Sequence, residues 1–345
     1  MHQASCFVLV LVSAIGVFLL SMNGCSGAIH EDSILAAKFQ HIVIIFQENR
    51  TPDNLFHDPI LIQAGADIAN SGKNSAGQSI PLTLSPLDIN YDLNHAHSAF
   101  LTMYNGGKMN GANRVRVSCS RCAPPNPQFK YVNPSAVQSY FQMAEQYTFG
   151  DRMFQTNQGP SFPAHQFIIS GTSAPSATSR SFVAENSGDS NVNPFNFSGC
   201  IAPPTALVGL VGPTGDEHQA IYPCMEHPTL TDELNARGID WRYYTPSAGG
   251  RWTGPNAIEH MCGPNFPPPH ATACVGSDWK NHVVLYTQLN PAPILTDISD
   301  SKLPAVSWVM PAGQNSDHAG ISTGGGPSWV ASTDPIETGA ETPIS

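Results

Sequence analysis

A short apolar, β-branched run at residues 40–46 (QHIVIIF) leads without a spacer into Gln47-Glu48-Asn49-Arg50 and then Thr51-Pro52. A run of this length with no polar alternation is built to be buried on both faces, the pattern of a strand inside a parallel sheet. Thr51 can cap a helix, and Pro52 suits the first helical position, where no N–H is needed. Strand, polar turn and helix start together open an α/β unit. In such folds ligands bind at the carboxyl ends of strands. A carboxylate beside an amide oxygen at that place can ligate a hard or borderline cation. Glu48 can equally be an exposed acid in a helix-entry turn, and the local sequence leaves both readings open.

The rest of the chain favours a layered α/β fold. Residues 239–244 and 305–310 read as further strands. Residues 133–147, 163–170 and 229–237 read as helices, the last two stopping at Gly171 and Gly238, where a left-handed residue ends a helix. Residues 64–85 are polar and rich in Gly and Ser, a surface excursion. There is no internal repeat. The 30 Pro and 29 Gly are interleaved with Trp, Phe and Ile, so the many loops they imply are structured ones. The net charge of −11, with only 15 Lys plus Arg and no basic stripe, speaks against a nucleic-acid partner. An acidic protein that handles anionic phosphates needs a local positive centre, which a bound metal ion supplies.

The N-terminus reads as an export signal over residues 1–27, with an apolar run at residues 6–20 too short to span a bilayer. Ser21-Met22-Asn23-Gly24-Cys25 loosely follows a lipoprotein cleavage site, which makes Cys25 a candidate lipid anchor; simple cleavage nearby is the alternative. The expected location is therefore exported: periplasmic, secreted or an outer-surface lipoprotein. Beyond Cys25 stand Cys119, Cys122, Cys200, Cys224, Cys262 and Cys274. An even set in an exported chain suggests disulfides, and neighbours are expected to pair: Cys119–Cys122, Cys200–Cys224 and Cys262–Cys274. A zinc site at Cys119-Ser120-Arg121-Cys122 is the rival reading, but it lacks a second CxxC.

Four constellations can carry chemistry. Glu48 and Asn49 are the first. The second is Tyr91-Asp92-Leu93-Asn94-His95-Ala96-His97 with Asn105-Gly106-Gly107-Lys108-Met109, able to bind metal or grip phosphate, or else a solvated loop. The third is Gly159-Pro160-Ser161-Phe162-Pro163-Ala164-His165. There Ser161 sits ahead of a helix whose amides favour an anion, a seat for a hydroxyl nucleophile or an ordinary helix cap. The esterase elbow GxSxG is not matched, because Pro163 replaces its last Gly, so a serine carboxylesterase is the weaker enzyme reading. Gly326-Pro327-Ser328-Trp329 lies in a Gly run and is set aside as a decoy. The fourth is residues 311–318 (PAGQNSDH), which put His318 past a strand's carboxyl end. His260 is ambiguous between a packing residue and a ligand.

The order of these pieces resembles the bacterial phosphoesterase family that includes non-haemolytic phospholipases C and a respiratory-burst-inhibiting acid phosphatase. The match runs from His41 to Thr51 with Asp53 and Phe56, through Asp92-Leu93-Asn94-His95, Gly159-Pro160-Ser161, Ser170-Gly171-Thr172-Ser173 and Gly238-Ile239-Asp240-Trp241, to Ser316-Asp317-His318, collinear over about residues 38–331. The resemblance implies an alkaline-phosphatase-like layered α/β/α fold with a mostly parallel central sheet. It also implies a divalent metal ion held by Glu48 and Asn49, Ser161 as nucleophile, and His95, His318 and less certainly His260 around the phosphate. The implied reaction is hydrolysis of a phosphate ester, phospholipid or phosphomonoester, through a phosphoserine, with a histidine as general acid or base.

Past Trp329 the chain departs from that pattern. The family continues through a further helix and strand to an adjacent pair of aspartates that complete its metal site. Here residues 332–345 form a polar tail, and Asp317 and Asp334 lie outside the pattern for that pair. The expectation is a phosphoesterase domain over residues 28–331 that is truncated at its C-terminus, with an incomplete sheet. A catalytically impaired remnant is the alternative to an active hydrolase.

Overall fold

The apolar run does form a strand, β1 (Ile42–Ile45), but not a fully buried one: it stands at the end of its sheet, with Ile42 exposed and the residues from Val43 to Ile45 half-buried. The computed structural model describes residues 39–119, 121–187, 198–286, 293–321 and 323–333. The expected export signal, Cys25 and the tail from residue 334 onward lie outside them. The chain divides into Met1–Gln40 and His41–Ser345, and every element below belongs to the second unit.

After β1, Thr51 accepts from the Asn54 amide and Pro52 opens α1 (Pro52–Leu55), as the sequence pattern requires. Asp58 caps α2 (Pro59–Gln63) in the same way. The polar excursion folds into a ribbon of β2 (Ser71–Lys73) and β3 (Ser79–Pro81), followed by β4 (Thr83–Ser85). Next come α3 (His97–Tyr104) and β5 (Lys130–Val132), which pairs parallel with β4. The helix expected over residues 133–147 is broken: a 3₁₀ turn at Pro134–Ala136 precedes α4 (Gln138–Gln146), with Val137 in a non-helical conformation between them.

The next helix, α5 (Ser161–Ser170), starts two residues earlier than its proline suggests, so Ser161 is its first residue and not the residue ahead of it. Proline is tolerated anywhere in the first turn, where the amide has no helical partner. Gly171 ends α5 in the left-handed region, at φ 66°. A three-stranded antiparallel sheet of β6 (Phe182–Val183), β7 (Val208–Val211) and β8 (Gln219–Ile221) follows. The helix α6 (Leu230–Ala236) begins with a reciprocal Thr229–Asp232 capping box. The chain then runs through β9 (Trp241–Thr245), α7 (Glu259–Cys262), α8 (Ser277–His282), β10 (Val283–Leu285), α9 (Pro293–Ser299), β11 (Val306–Val309) and α10 (Gly326–Thr333).

The central sheet is parallel throughout, in the order β1-β11-β9-β10. Its residues alternate between two cores, as the period of two along a strand demands. Ile44, Trp308, Trp241 and Tyr243 pack on one face with Phe162, Ile169, Ile258 and Met261. Val43, Ile45, Val309 and Tyr244 pack on the other with Ile294, and Ile45 also meets Leu55, Tyr140, Phe141 and Val330. Helices thus cover both faces, the α/β/α arrangement. Trp308 is 1% exposed and Trp241 and Tyr243 are 0% exposed. Each such side chain contributes roughly 1.5–3 kcal/mol by leaving water.

All three expected disulfides are present: Cys119–Cys122, Cys200–Cys224 and Cys262–Cys274. Cys119 and Cys122 bond to each other, which removes the zinc reading. The other two bridges share one buried cluster with Ile201, Ala271 and Trp279. Among the described residues no helix is long and apolar enough to cross a membrane.

Trp308 joins the sheet to the largest core, so Trp308→Ala should destabilise the fold by about 3–5 kcal/mol. Urea midpoints check this; a loss under about 1 kcal/mol would mean the face is not packed as described.

Candidate active site

The parallel pairing of β1 with β11, Ile42 opposite Val306 through Ile45 opposite Val309, sets their carboxyl ends side by side. Phe46 continues the ladder to the Val309 carbonyl at 3.1 Å. Two side chains then pin the following segments together. Gln47 Nε2 donates to the Asn315 carbonyl at 3.1 Å, and its Oε1 accepts from the Asp317 amide at 3.1 Å. Arg50 Nε donates to the Asp317 carbonyl at 2.8 Å, and its Nη2 to the Leu87 carbonyl at 2.8 Å. Gln47 and Arg50 are therefore braces, and they hold Glu48 and Asn49 between them.

Glu48 is the meeting point of one half of the site. Ser161 Oγ donates to its Oε2 at 2.9 Å, and His165 Nε2 stands 2.7 Å from its Oε1. Ser161 and His165 are four apart on α5, so one helix face presents both. His165 is 4% exposed, flanked by the rings of Phe46 and Trp252, each with its centroid 6.4 Å away. Its Nδ1 is buried with no partner among the described residues, which assigns the ring proton to Nε2. Burial works to raise the Glu48 carboxyl, but the His165 hydrogen bond and charge, the His318 charge and the Ser161 bond together hold it below its ordinary value. Glu48 is thus kept ionised.

The other half is a cluster of Asp92, His95 and His318, whose ligand atoms lie within 4.8 Å of one another. His95 Nδ1 is 3.6 Å and His318 Nδ1 4.0 Å from Asp92 Oδ2, and the two rings stack at 5.2 Å. His318 Nδ1 gives its proton to the Ala319 carbonyl at 2.7 Å, leaving Nε2 with a lone pair. A histidine tethered in this way is the usual form of a metal ligand. Two imidazoles and a carboxylate suit a borderline divalent cation, so the residues present fit the metal that the family pattern implies. Asn49 Nδ2 contacts His95 Nε2, which links this cluster to the strand end. Burial raises the Asp92 carboxyl against the opposing charges of His95 and His318. Burial also lowers His95, with Asp92 opposing.

Between these halves lies a cavity of about 120 Å³, lined by Ser161, Asp92, His95 and His318 together with Asn186, Arg251 and Trp252. The structure thus brings together Glu48, Asn49, His95, Ser161 and His318. It places His260 elsewhere: its ring stands 2.8 Å from Glu226 and 3.2 Å from Asp232, tying α7 to the start of α6. His97 is buried and braces its loop, 2.8 Å from Glu217 Oε1. Asn105 closes α3 in the left-handed region and is not part of the cavity lining. Sequence reasoning assigned no role to His165, Asn186, Arg251 or Trp252. The four-residue spacing of Ser161 and His165 was a usable signal; Arg251 and Trp252 sit in a Gly-rich loop that carries none.

The geometry defines an α/β protein with a polar, cation-compatible site at the carboxyl ends of its strands. Residues 39–335 match the model of the Phosphoesterase family, and the chain belongs to that family. It is also similar to a hemolytic phospholipase C of Pseudomonas aeruginosa, 23% identical over 224 residues that cover 59% of this chain and 25% of that protein. The chain thus matches about a quarter of the length of that relative.

Asp317, next to His318, is fully buried. Its Oδ2 accepts from Tyr140 at 2.8 Å, its Oδ1 has no partner among the described residues, and a Cβ on Gly326 would collide with it. Burial pushes its carboxyl from 3.8 up to about 6, against the Tyr140 bond and the Arg50 charge. The folded state therefore holds this proton more tightly than the unfolded chain. Its stabilisation is complete below the unfolded value and is lost as pH rises through about 6. About two units correspond to about 3 kcal/mol. Asp317→Asn has no charge to bury, so its stability relative to wild type should climb by about that much from pH ~4 to pH ~7.5. Urea midpoints across that range measure it, and a constant difference would refute the assignment.

Proposed function

We propose that the chain is a metal-assisted phosphate-ester hydrolase with Ser161 as its nucleophile. The observation that carries this reading is the Ser161 hydroxyl at the start of α5, hydrogen-bonded to an ionised Glu48 and opening on a cavity that the Asp92–His95–His318 cluster also lines. A helix start favours an anion in front of it. An ester phosphate placed there meets a hydroxyl whose proton already points at a carboxylate.

Glu48 takes the Ser161 proton as Oγ bonds to phosphorus, and the P–O bond to the leaving alcohol breaks. The same proton then passes from Glu48 to the leaving alkoxide. In the second half a water gives its proton to Glu48 and attacks phosphorus; the P–Oγ bond breaks, and Ser161 recovers a proton from Glu48. Glu48, held below its ordinary value, is a weak base for an alcohol. Asp92, His95 and His318 are the residues that would hold a divalent cation, which would supply the positive charge that a weak base needs beside the hydroxyl and the phosphoryl oxygens. This use of both histidines as donors favours Glu48 over a histidine as the proton carrier. His260, engaged by Glu226 and Asp232, is left out of the reaction. His165 fixes the orientation of Glu48 and keeps it charged.

The substrate class extends from phosphomonoesters to phospholipid headgroup esters, the latter brought in by the name of the relative. Three disulfides fit an oxidising compartment, so we infer export as well. Ser161→Ala should lower kcat on 4-nitrophenyl phosphate or 4-nitrophenylphosphocholine by about 10³-fold or more. Chelation should abolish turnover and an added divalent cation should restore it. Wild-type rates in Ser161→Ala would sink the proposal.

His165→Ala should lower kcat by about 10- to 100-fold with KM nearly unchanged. His165→Gln, which keeps a donor for Glu48, should recover part of that loss. Equal rates for the Ala and Gln variants would show that the ring only fills space.

A further inference from the structure

Three residues lining the cavity take no part in activating Ser161 or in holding a cation: Arg251, Asn186 and Trp252. Among the described residues that line the cavity, Arg251 alone carries a permanent positive charge, since guanidinium does not titrate in proteins. One arm of its fork is fixed, with Nη2 donating to the Ser187 carbonyl at 3.0 Å. The loop that carries it is tied down around it. The hydroxyl of fully buried Tyr243 donates to the Trp252 carbonyl at 2.8 Å, Thr253 Oγ1 donates to the Ser247 carbonyl at 2.6 Å, and Asn256 Nδ2 donates to the Ala248 carbonyl at 2.8 Å. A guanidinium on so braced a loop is pre-organised, which lowers the entropy lost on binding.

Asn186 has a double position. Its Oδ1 accepts from the Phe162 amide at 2.9 Å, in place of the side-chain cap that Pro160 cannot offer to α5. With that oxygen committed, the amide group left to the cavity is its Nδ2 donor. Trp252 stands beside His318, ring centroids 5.9 Å apart, and beside His165. Arg251, Asn186, Trp252 and Ser161 line the same cavity. The charge of Arg251 is already felt across it, as one of the causes that lower His95.

We propose that Arg251 and Asn186 form the phosphate-oxygen subsite of this cavity, Arg251 binding non-bridging oxygens through its guanidinium and Asn186 adding a donor through Nδ2. The proposal rests on the reading of the cavity as a phosphate-ester site, and it names the residues that hold the phosphoryl group while Ser161 reacts. Planar, charge-assisted donors of this kind match phosphate oxygens better than a point charge does. The inorganic phosphate released at the end of the reaction should bind the same residues.

Equilibrium dialysis with radiolabelled inorganic phosphate tests this on the full chain, alongside turnover of 4-nitrophenyl phosphate. Arg251→Gln should weaken phosphate binding by about 10- to 100-fold, and Arg251→Lys should recover part of it. Asn186→Asp keeps the acceptor for Phe162 and adds a negative charge at the same size, so it should weaken binding at least about 10-fold. This second variant keeps the test decisive should Arg251→Gln fail to fold, which circular dichroism reveals. Phosphate affinity within about twofold of wild type in Asn186→Asp, or in folded Arg251→Gln, overturns the subsite even if the protein hydrolyses esters. A protein that turns over no ester, yet loses phosphate binding on these substitutions, overturns the hydrolase reading and leaves the subsite standing.

Discussion

The site depends on one pairing. β1 and β11 are about as far apart in the chain as two elements of this protein can be, and their parallel register puts both carboxyl ends on the same edge of the sheet. A parallel neighbour needs a long crossover, and the connection between these two strands, residues 46–305, takes up most of the chain. Three residues of the candidate site hang from that edge: Glu48 and Asn49 after β1, His318 after β11. The register alone would leave the two following loops free to splay. Gln47 and Arg50 prevent this, each bonding to backbone groups of the segment around Asn315 and Asp317. Side chains that satisfy backbone donors and acceptors cost little where those groups would otherwise be buried without partners. The polar run Gln47-Glu48-Asn49-Arg50 is therefore two braces with two site residues held between them.

Burial drives the electrostatics of the site toward neutrality, and specific contacts resist it unequally. Asp92 is raised and His95 lowered, each mainly by desolvation. Glu48, more deeply buried than either, ends on the other side because His165 and Ser161 bond to its charged form and the charges of His165 and His318 favour it. Two carboxylates in one site are thus separated in acidity by their partners, the usual way in which one fold divides roles between like groups. A cation in this cluster would favour an ionised Asp92 and a neutral His95.

Much of this was legible in the sequence, and the failures have physical causes. β1 could be read because an unbroken β-branched run has few alternatives, and Thr51-Pro52 because capping chemistry is local. The disulfides followed from pairing neighbours, although nothing local guarantees that. Ser161, His95 and His318 emerged from their order along the chain, with no single motif strong enough alone. The helix start at Ser161 was misplaced because proline is equally at home in several first-turn positions. His260 and His97 look like site histidines in the sequence, but their partners Glu226, Asp232 and Glu217 come from other elements and turn them into braces. Arg251 and Trp252 were invisible for the converse reason: a Gly-rich loop has no periodicity, and its place at the cavity is decided by Tyr243 and Thr253 beneath it.

The last constraint lies just past the end of β1, where the adjacent residues Glu48 and Asn49 engage different elements. Glu48 reaches Ser161 and His165 on α5, and Asn49 reaches His95 and through it the Asp92–His318 cluster. One strand end thus feeds both halves of the site, the half proposed to activate the hydroxyl and the half proposed to hold a cation. Both oxygens of Glu48 are already engaged by α5, which leaves Asp92 as the carboxylate free to join the two imidazoles. A site divided in this way cannot be moved in part. Any shift of β1 against β11 displaces Glu48 relative to His318, and any shift of α5 changes the bonds that keep Glu48 ionised. This is why the braces at Gln47 and Arg50 belong to the chemistry even though neither lines the cavity.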